Sequence, residues 1–289
     1  MQFFKVIFSD RPLKAMVFAI LWFWCVMTLI PFAWLACGAF KHNEIFFQNL
    51  FLPLGEGFKG IAWEKLTLDN FRRLFFEVGI GNNLLNSFCL ASWTSLLAAF
   101  SSALGGYAIS KFRFRGQYMM NTLVISALII PPPLLLAPNY QLLYKLGLLN
   151  TYSGLVLPAM APAFGVFLFR QAMINSVPRE LLESARVDGA SELRIFLTIV
   201  LPLIKPMFSA FLLITFLRTW NNFIQPQVVL QDPDLYPLAV TISQLRGFYA
   251  VEYGIIAAGT LISILPVMVL FLILQKDFIT GLLSGAVKG

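Results

Sequence analysis

Histidine is almost missing from these 289 residues: His42 is the only one. A His-based catalytic triad or a multi-histidine metal site is therefore excluded. Cysteine is scarce as well. Cys25, Cys37 and Cys89 lie in apolar runs with no metal-ligand spacing and read as small hydrophobes packed in a bundle. No GxxxxGK[ST] phosphate loop occurs, so the chain does not hydrolyse a nucleotide by that motif. No catalytic residue, resident cofactor or metal is assigned to it. Charge is also thin, at 12% of residues against 58% hydrophobic and a mean hydropathy of +0.78. Soluble domains carry about a quarter charged residues, which argues against a water-soluble fold.

What is abundant is apolar sequence in runs long enough to cross a bilayer, about 20 residues each. The first runs from Ala15 to Phe40 with no charged side chain and the second from Val78 to Ser110. A third spans Tyr118 to about Pro138, a fourth about Thr151 to Phe169, a fifth Pro206 to about Leu217 and a sixth Tyr253 to Gln275. The first run exceeds the roughly 7–15 residues of a cleaved signal, so it is expected to be retained as a helix. The expected fold is all-α, a polytopic bundle of six transmembrane helices. The apolar cores hold no clear Asp, Glu, Lys or Arg at mid-depth, which counts against a proton or sodium relay.

Orientation follows from Lys and Arg, which are enriched in cytoplasmic segments. With the N-terminus inside, the inner segments carry Lys5, Arg11 and Lys14, then Lys111, Arg113 and Arg115, then the basic residues between Arg170 and Lys205, and the C-tail. The outer segments include Lys145, Arg218 and Arg246, and their acidic and basic residues cancel. The whole formal excess of +7 then falls inside, with both termini cytoplasmic. The charge is spread over short loops with no basic groove, so the pI of about 9.4 reflects topology and not nucleic-acid binding.

Three connections are long. The first, Lys41 to about Glu77, closes an N-terminal part at 1–77 and carries a short amphipathic stretch that Asp69 or Asn70 could cap. The second, about 171–201 within a core at 78–289, reads as helix, turn, helix. Pro178 suits a first helical position, Leu181, Leu182 and Ala185 recur at helical spacing, and Asp188-Gly189 offers the turn. The third, about Pro226 to Glu252, is expected to be ordered but not helical at its start. Pro131-Pro132-Pro133 must end or kink a helix, and whether that break lines a path stays open.

Polar uncharged residues near membrane depth are the other candidates: Asn86 in the second run, and Trp220, Asn221, Asn222 and Gln225 after the fifth. Such amides beside an aromatic face suit a hydroxyl-rich solute. They serve equally well to bond neighbouring helices.

The stretch Glu183-Ser184-Ala185-Arg186-Val187-Asp188-Gly189, followed after nine residues by Ile199-Val200-Leu201-Pro202, is similar to the EAA motif of ABC importer permeases. Asn86-Ser87, the run Lys111 to Gly116, Gly147 to Tyr152, Trp220 to Phe223 and the tail Gly281 to Gly289 resemble the maltose-type, carbohydrate-uptake branch of that family. Ser184 departs from the pattern where a second alanine is expected; serine is nearly as small.

The resemblance implies a permease subunit in the bacterial inner membrane, not an enzyme, paired with a second homologous permease. Two ATP-binding subunits would hold ATP and Mg, and an extracytoplasmic binding protein would deliver the solute. Glu183, Ser184, Ala185, Asp188, Gly189, Leu201 and Pro202 would then meet the ATPase through a cytoplasmic coupling helix-turn-helix. The implied solute is a sugar, oligosaccharide or polyol. The alternatives are glycerol-phosphate or an acidic oligosaccharide, and outside the family an ion-coupled secondary transporter. A short helix seated in a partner's groove is a recurrent way to receive mechanical work. Glu183 offers such a helix a charged anchor, and Gly189 permits a positive φ at its turn. Besides these proteins the chain would contact membrane lipid.

Overall fold

The computed structural model describes residues 11–57, 60–245 and 251–286. Lys5, Arg246 and the end of the tail at 287–289 lie outside them. Regular structure among the described residues is helical, with two isolated β-bridges, Lys41 with Leu66 and Leu54 with Ile61. The chain divides into two units, 1–79 with 245–262 and 80–244 with 263–289.

The first unit opens with α1 (Arg11–Ala39), whose middle at 18–33 is exposed on every face and apolar apart from Thr28, as at Trp22 and Phe18. A helix apolar all round belongs in a membrane or a core. After it the chain returns through short turns to α2 (Asp69–Phe76). The expectation that Asp69 or Asn70 caps this helix is not met: Thr67 Oγ1 accepts from the Asp69 amide at 3.0 Å. Asn70 is buried instead and donates to the carbonyls of Ala39 and Lys41 at 2.9 and 2.8 Å. Lys41 is buried too, its ammonium on the Asn49 carbonyl at 2.6 Å, and burial pushes its pKa down. Gly254 presses on the Asn70 amide so closely that a Cβ would lie 2.7 Å from Nδ2.

The second unit is organised by α3 (Ile80–Lys111), which buries a face of small residues including Ala91, Ser95, Ala98, Ser102, Gly106 and Ser110. Small side chains let backbones approach where no hydrophobic force drives helices together. Against this face pack α7 (Ala163–Ser176) and α10 (Lys205–Trp220). Ahead of α7 come α4 (Gln117–Ala127), α5 (Leu136–Lys145) and α6 (Tyr152–Ala159). After it come α8 (Arg179–Val187) and α9 (Glu192–Leu203). Phe169, Met173, Leu182, Ile195, Phe196 and Phe211 fill the core between them. The unit continues through α11 (Ile224–Val229) and α12 (Leu238–Gln244). The last helix, α13 (Tyr253–Ala286), begins in the first unit and ends in the second.

Among the described residues, three helices are each long and apolar enough to cross a membrane: Pro12–Ala39, Ile80–Lys111 and Tyr253–Lys276. Three pairs pass the same test only when joined, α4 with 132–145 bent by 100°, α6 with α7 by 40°, and α9 with α10 by 83°. Counting each bent pair as one gives up to six crossings. Proline accounts for the breaks. It removes an amide donor and crowds the carbonyl four residues back. Pro131 is extended and Pro132 opens a 3₁₀ turn over Pro132–Leu135, so the third crossing breaks where the three prolines require it to. In α9 the segment Phe196–Val200 widens into a π turn, which contains Thr198, the residue whose carbonyl Pro202 would crowd. The chain then turns at Ile204, ahead of Pro206 and two residues beyond Pro202. The connection from Pro226 also differs from expectation: its start is helical, in α11, because Pro226 falls in a first turn where its missing amide costs little.

Candidate coupling surface and solute path

Pro178 precedes α8 as its N-cap, extended at φ −62° and ψ 143°, one residue earlier than the first helical position expected for it. From Arg179 the helix is two-faced. Leu182 and Ala185 are buried in the bundle core, while Glu183, Ser184 and Val187 face outward. Ala185 therefore permits close approach of α8 to its own bundle and is not part of the outer surface. Ser184 Oγ bonds back to the Leu181 carbonyl at 3.0 Å, so the serine at the alanine position carries its own partner. Glu183 forms no hydrogen bond or ion pair among the described residues.

The turn after α8 closes as a Schellman motif. The Ala190 amide reaches the Ala185 carbonyl and the Gly189 amide the Arg186 carbonyl, both at 3.0 Å. Gly189 holds φ +80°, a left-handed conformation that costs side chains with a Cβ. A Cβ there would touch nothing within 4 Å, so conformation and not space demands the glycine. Ser191 then caps α9, its Oγ accepting from the Arg194 amide at 3.4 Å. Asp188 is exposed at the turn, whereas Leu201 packs against the core and Pro202 is exposed at the far end of α9. The structure thus gathers Glu183, Ser184, Asp188 and Gly189 on one outward surface and sets Ala185, Leu201 and Pro202 apart from it.

Sequence reasoning missed the residues that tie α8 and α9 to α3. Glu192 Oε1 accepts from Arg186 Nε at 2.6 Å, and Oε2 accepts from the Tyr107 hydroxyl at 2.8 Å. The hydrogen bond to Glu192 raises the Arg186 pKa above its ordinary value. The Arg186 guanidinium also lies over the Phe112 ring, 5.8 Å from its centroid. Opposite charges flanking the 188–189 turn were the available signal; Tyr107 gave none, being 85 residues away from its partner.

The candidate path residues fall into two groups, each with local work. Asn86 Nδ2 donates to the carbonyls of Asp234 and Tyr236 at 2.8 and 3.3 Å. Trp220 is buried and stacks on Phe216, with ring centroids 5.6 Å apart at 17°. Asn221 Nδ2 caps the Leu217 carbonyl at 2.8 Å, and Asn222 Oδ1 accepts from the Gln225 amide at 3.4 Å. Trp220, Asn221, Asn222 and Gln225 are together in the α10–α11 turn.

Residues 95–278 match the protein family described as "Binding-protein-dependent transport system inner membrane component". The chain belongs to that family. It is a multi-pass membrane subunit for transport, the permease of a binding-protein-dependent ABC importer. It is 38% identical over 229 residues to the arabinooligosaccharides transport system permease protein AraQ of Halalkalibacterium halodurans, covering 78% of this chain and 80% of that one. It is 30% identical over 262 residues to the lactose transport system permease protein LacG of Rhizobium radiobacter, covering 91% and 92%. The same fold occurs in a bacterial ABC transporter that imports the acidic polysaccharide alginate, with a TM-score of 0.76 at 22% identity, covering 93% of this permease and 98% of that chain.

Proposed function

We propose that this permease carries a neutral sugar or oligosaccharide inward, driven by ATP hydrolysis on two partner subunits that seat α8 in a groove. The single observation that supports this most is the division of α8: its apolar face is committed to the bundle, while Glu183 and the Gly189 turn are presented outward. In this reading the ATP and Mg²⁺ reside on the partners and a second homologous permease completes the pathway. A binding protein outside supplies the solute, and both termini face the cytoplasm, where the basic excess lies.

The names of the two sequence relatives support the solute class. Deleting the chain in its host and measuring uptake of labelled arabinotriose, lactose and an alginate trisaccharide tests it. Uptake of a neutral probe should be lost on deletion, and in the intact host should stop when ATP is depleted. Uptake that survives deletion, follows an ion gradient, or is lost for the acidic probe alone contradicts the assignment.

A further inference from the structure

Both ends of α8 are tied to the last turns of α3. At the entry side, Lys111 Nζ donates to the carbonyl of Val177, the residue before Pro178, and Val177 is itself buried. At the exit side, Glu192 bridges Arg186 of α8 to the hydroxyl of Tyr107, one turn before Lys111 on α3. Between the two ties, Tyr107 stands edge-on to Phe112 at 5.3 Å, and Phe112 lies beneath the Arg186 guanidinium. Beneath α8, Leu182 and Ala185 share one core with Ala99, Ala103 and Tyr107 of α3.

The ion pair alone does not make this joint stiff. Arg186 and Glu192 remain 36% and 41% exposed, and pairs so exposed contribute little to stability. Stiffness comes from what the pair is attached to. Tyr107 is 3% exposed, its ring fixed by Phe112 and Phe196, so its hydroxyl fixes where the Glu192 carboxylate sits. Charge-assisted hydrogen bonds of this kind are shorter and stronger than neutral ones. By contrast, the route from α9 into α10 runs through a π turn and an 83° break at Ile204.

We propose that Tyr107 and Glu192 are positioning residues that bind α8 and α3 into one body, so that α3 is the first membrane helix to take up the displacement made by the ATPase. The proposal rests on the docking of α8 proposed above. Glu183 touches the partner; Tyr107 and Glu192 act through Arg186 and do not. Breaking them should leave docking intact and disconnect the motion.

The test uses the permease in complex with its partner subunits, with Cys25, Cys37 and Cys89 replaced and spin labels on Leu96→Cys of α3 and Arg179→Cys of α8. Distances are read without nucleotide and with ATP plus vanadate. In the native background the α3–α8 distance should not change between the two states. With Tyr107→Phe and Glu192→Gln together it should shift and spread when ATP and vanadate are added, while the ATPase still copurifies in full. Glu192→Gln alone, which keeps the tyrosine ring and hydroxyl, should give an intermediate spread and serves if the double variant does not fold. A native distance that moves with nucleotide overturns the proposal, as do variants that behave like the native chain or a Tyr107→Phe variant that loses the ATPase. If the ATPase does not copurify with the native chain, the docking of α8 has failed and the clamp falls with it.

Discussion

Ser87 Oγ accepts a hydrogen bond from the backbone amide of Leu238 at 2.6 Å, tying α3 to a segment 151 residues further on. Asn83 and Asn86, on the same side of α3, hold the Tyr236 carbonyl at 2.9 and 3.3 Å. A buried amide that loses its acceptor costs about 1–3 kcal/mol, and 1.4 kcal/mol is tenfold in an opening equilibrium. Ser87→Ala should therefore speed hydrogen exchange at the Leu238 amide by about tenfold or more while leaving the middle of α3 protected. An unchanged rate at Leu238 would show that the contact is dispensable.

The α3–α7 contact depends on absent side chains. A Cβ on Gly106 would sit 2.6 Å from the Arg170 amide nitrogen, and one on Gly165 would sit 2.3 Å from Ser102 Oγ. Overpacking a tight core costs about 1–3 kcal/mol. Gly106→Ala should lower the thermal midpoint of the purified permease, because the obstacle is backbone and cannot rotate away. Gly105→Ala, which would meet only Val166 at 3.3 Å, should lower it less. The reverse order of the two midpoints would refute this account of the packing.

Two polar contacts in the first unit differ in burial and should differ in worth. Arg73 reaches Glu252 through two hydrogen bonds of 2.5 and 3.1 Å, with side chains 42% and 38% exposed. That hydrogen bond is also the main reason the Arg73 pKa is raised. At such exposure an ion pair contributes about 0–1 kcal/mol, and salt weakens it further. Asn70, only 7% exposed, satisfies two backbone carbonyls at once. Asn70→Ala should cost about 1–3 kcal/mol, more than Glu252→Gln. Denaturation of the two variants in detergent at low and high salt decides it. Equal losses, or a larger loss for Glu252→Gln, would show that the exposed pair dominates.

Much of this is legible in the sequence. Apolar runs located the crossings, and the Asp188-Gly189 dipeptide between two periodic stretches located the turn of the coupling element with its positive φ. The breaks were legible in position but not in angle: Pro131 to Pro133 announce an interruption, yet nothing local specifies a 100° bend. Least legible were the partners across long separations. Periodicity reports which face of a helix is apolar, but not that Tyr107 reaches Glu192 or that Asn86 bonds the carbonyls of Asp234 and Tyr236. Those pairings are decided by how α3 packs.

The orientation proposed from the basic residues can be checked directly. In a cysteine-free background, an impermeant thiol reagent added from outside should label Gly60→Cys and spare Glu180→Cys. Labelling at position 180 with protection at position 60 would invert the topology and remove the coupling reading with it.

Coupling through α8 makes its sharpest demand at Glu183, which is outward-facing and unpaired among the described residues. Glu183→Lys should set a like charge against whatever cation receives it, a penalty of several kcal/mol at an interface. Gly189→Val should instead strain the turn, because φ +80° is costly for a β-branched side chain. Neither residue lies in a membrane crossing, so both variants should still insert. The decisive measurement is the amount of ATPase subunit recovered with each purified variant relative to the native permease. Recovery should fall by tenfold or more for both. Full recovery with Glu183→Lys and Gly189→Val, together with undiminished uptake, would contradict the assignment of α8 as the coupling helix.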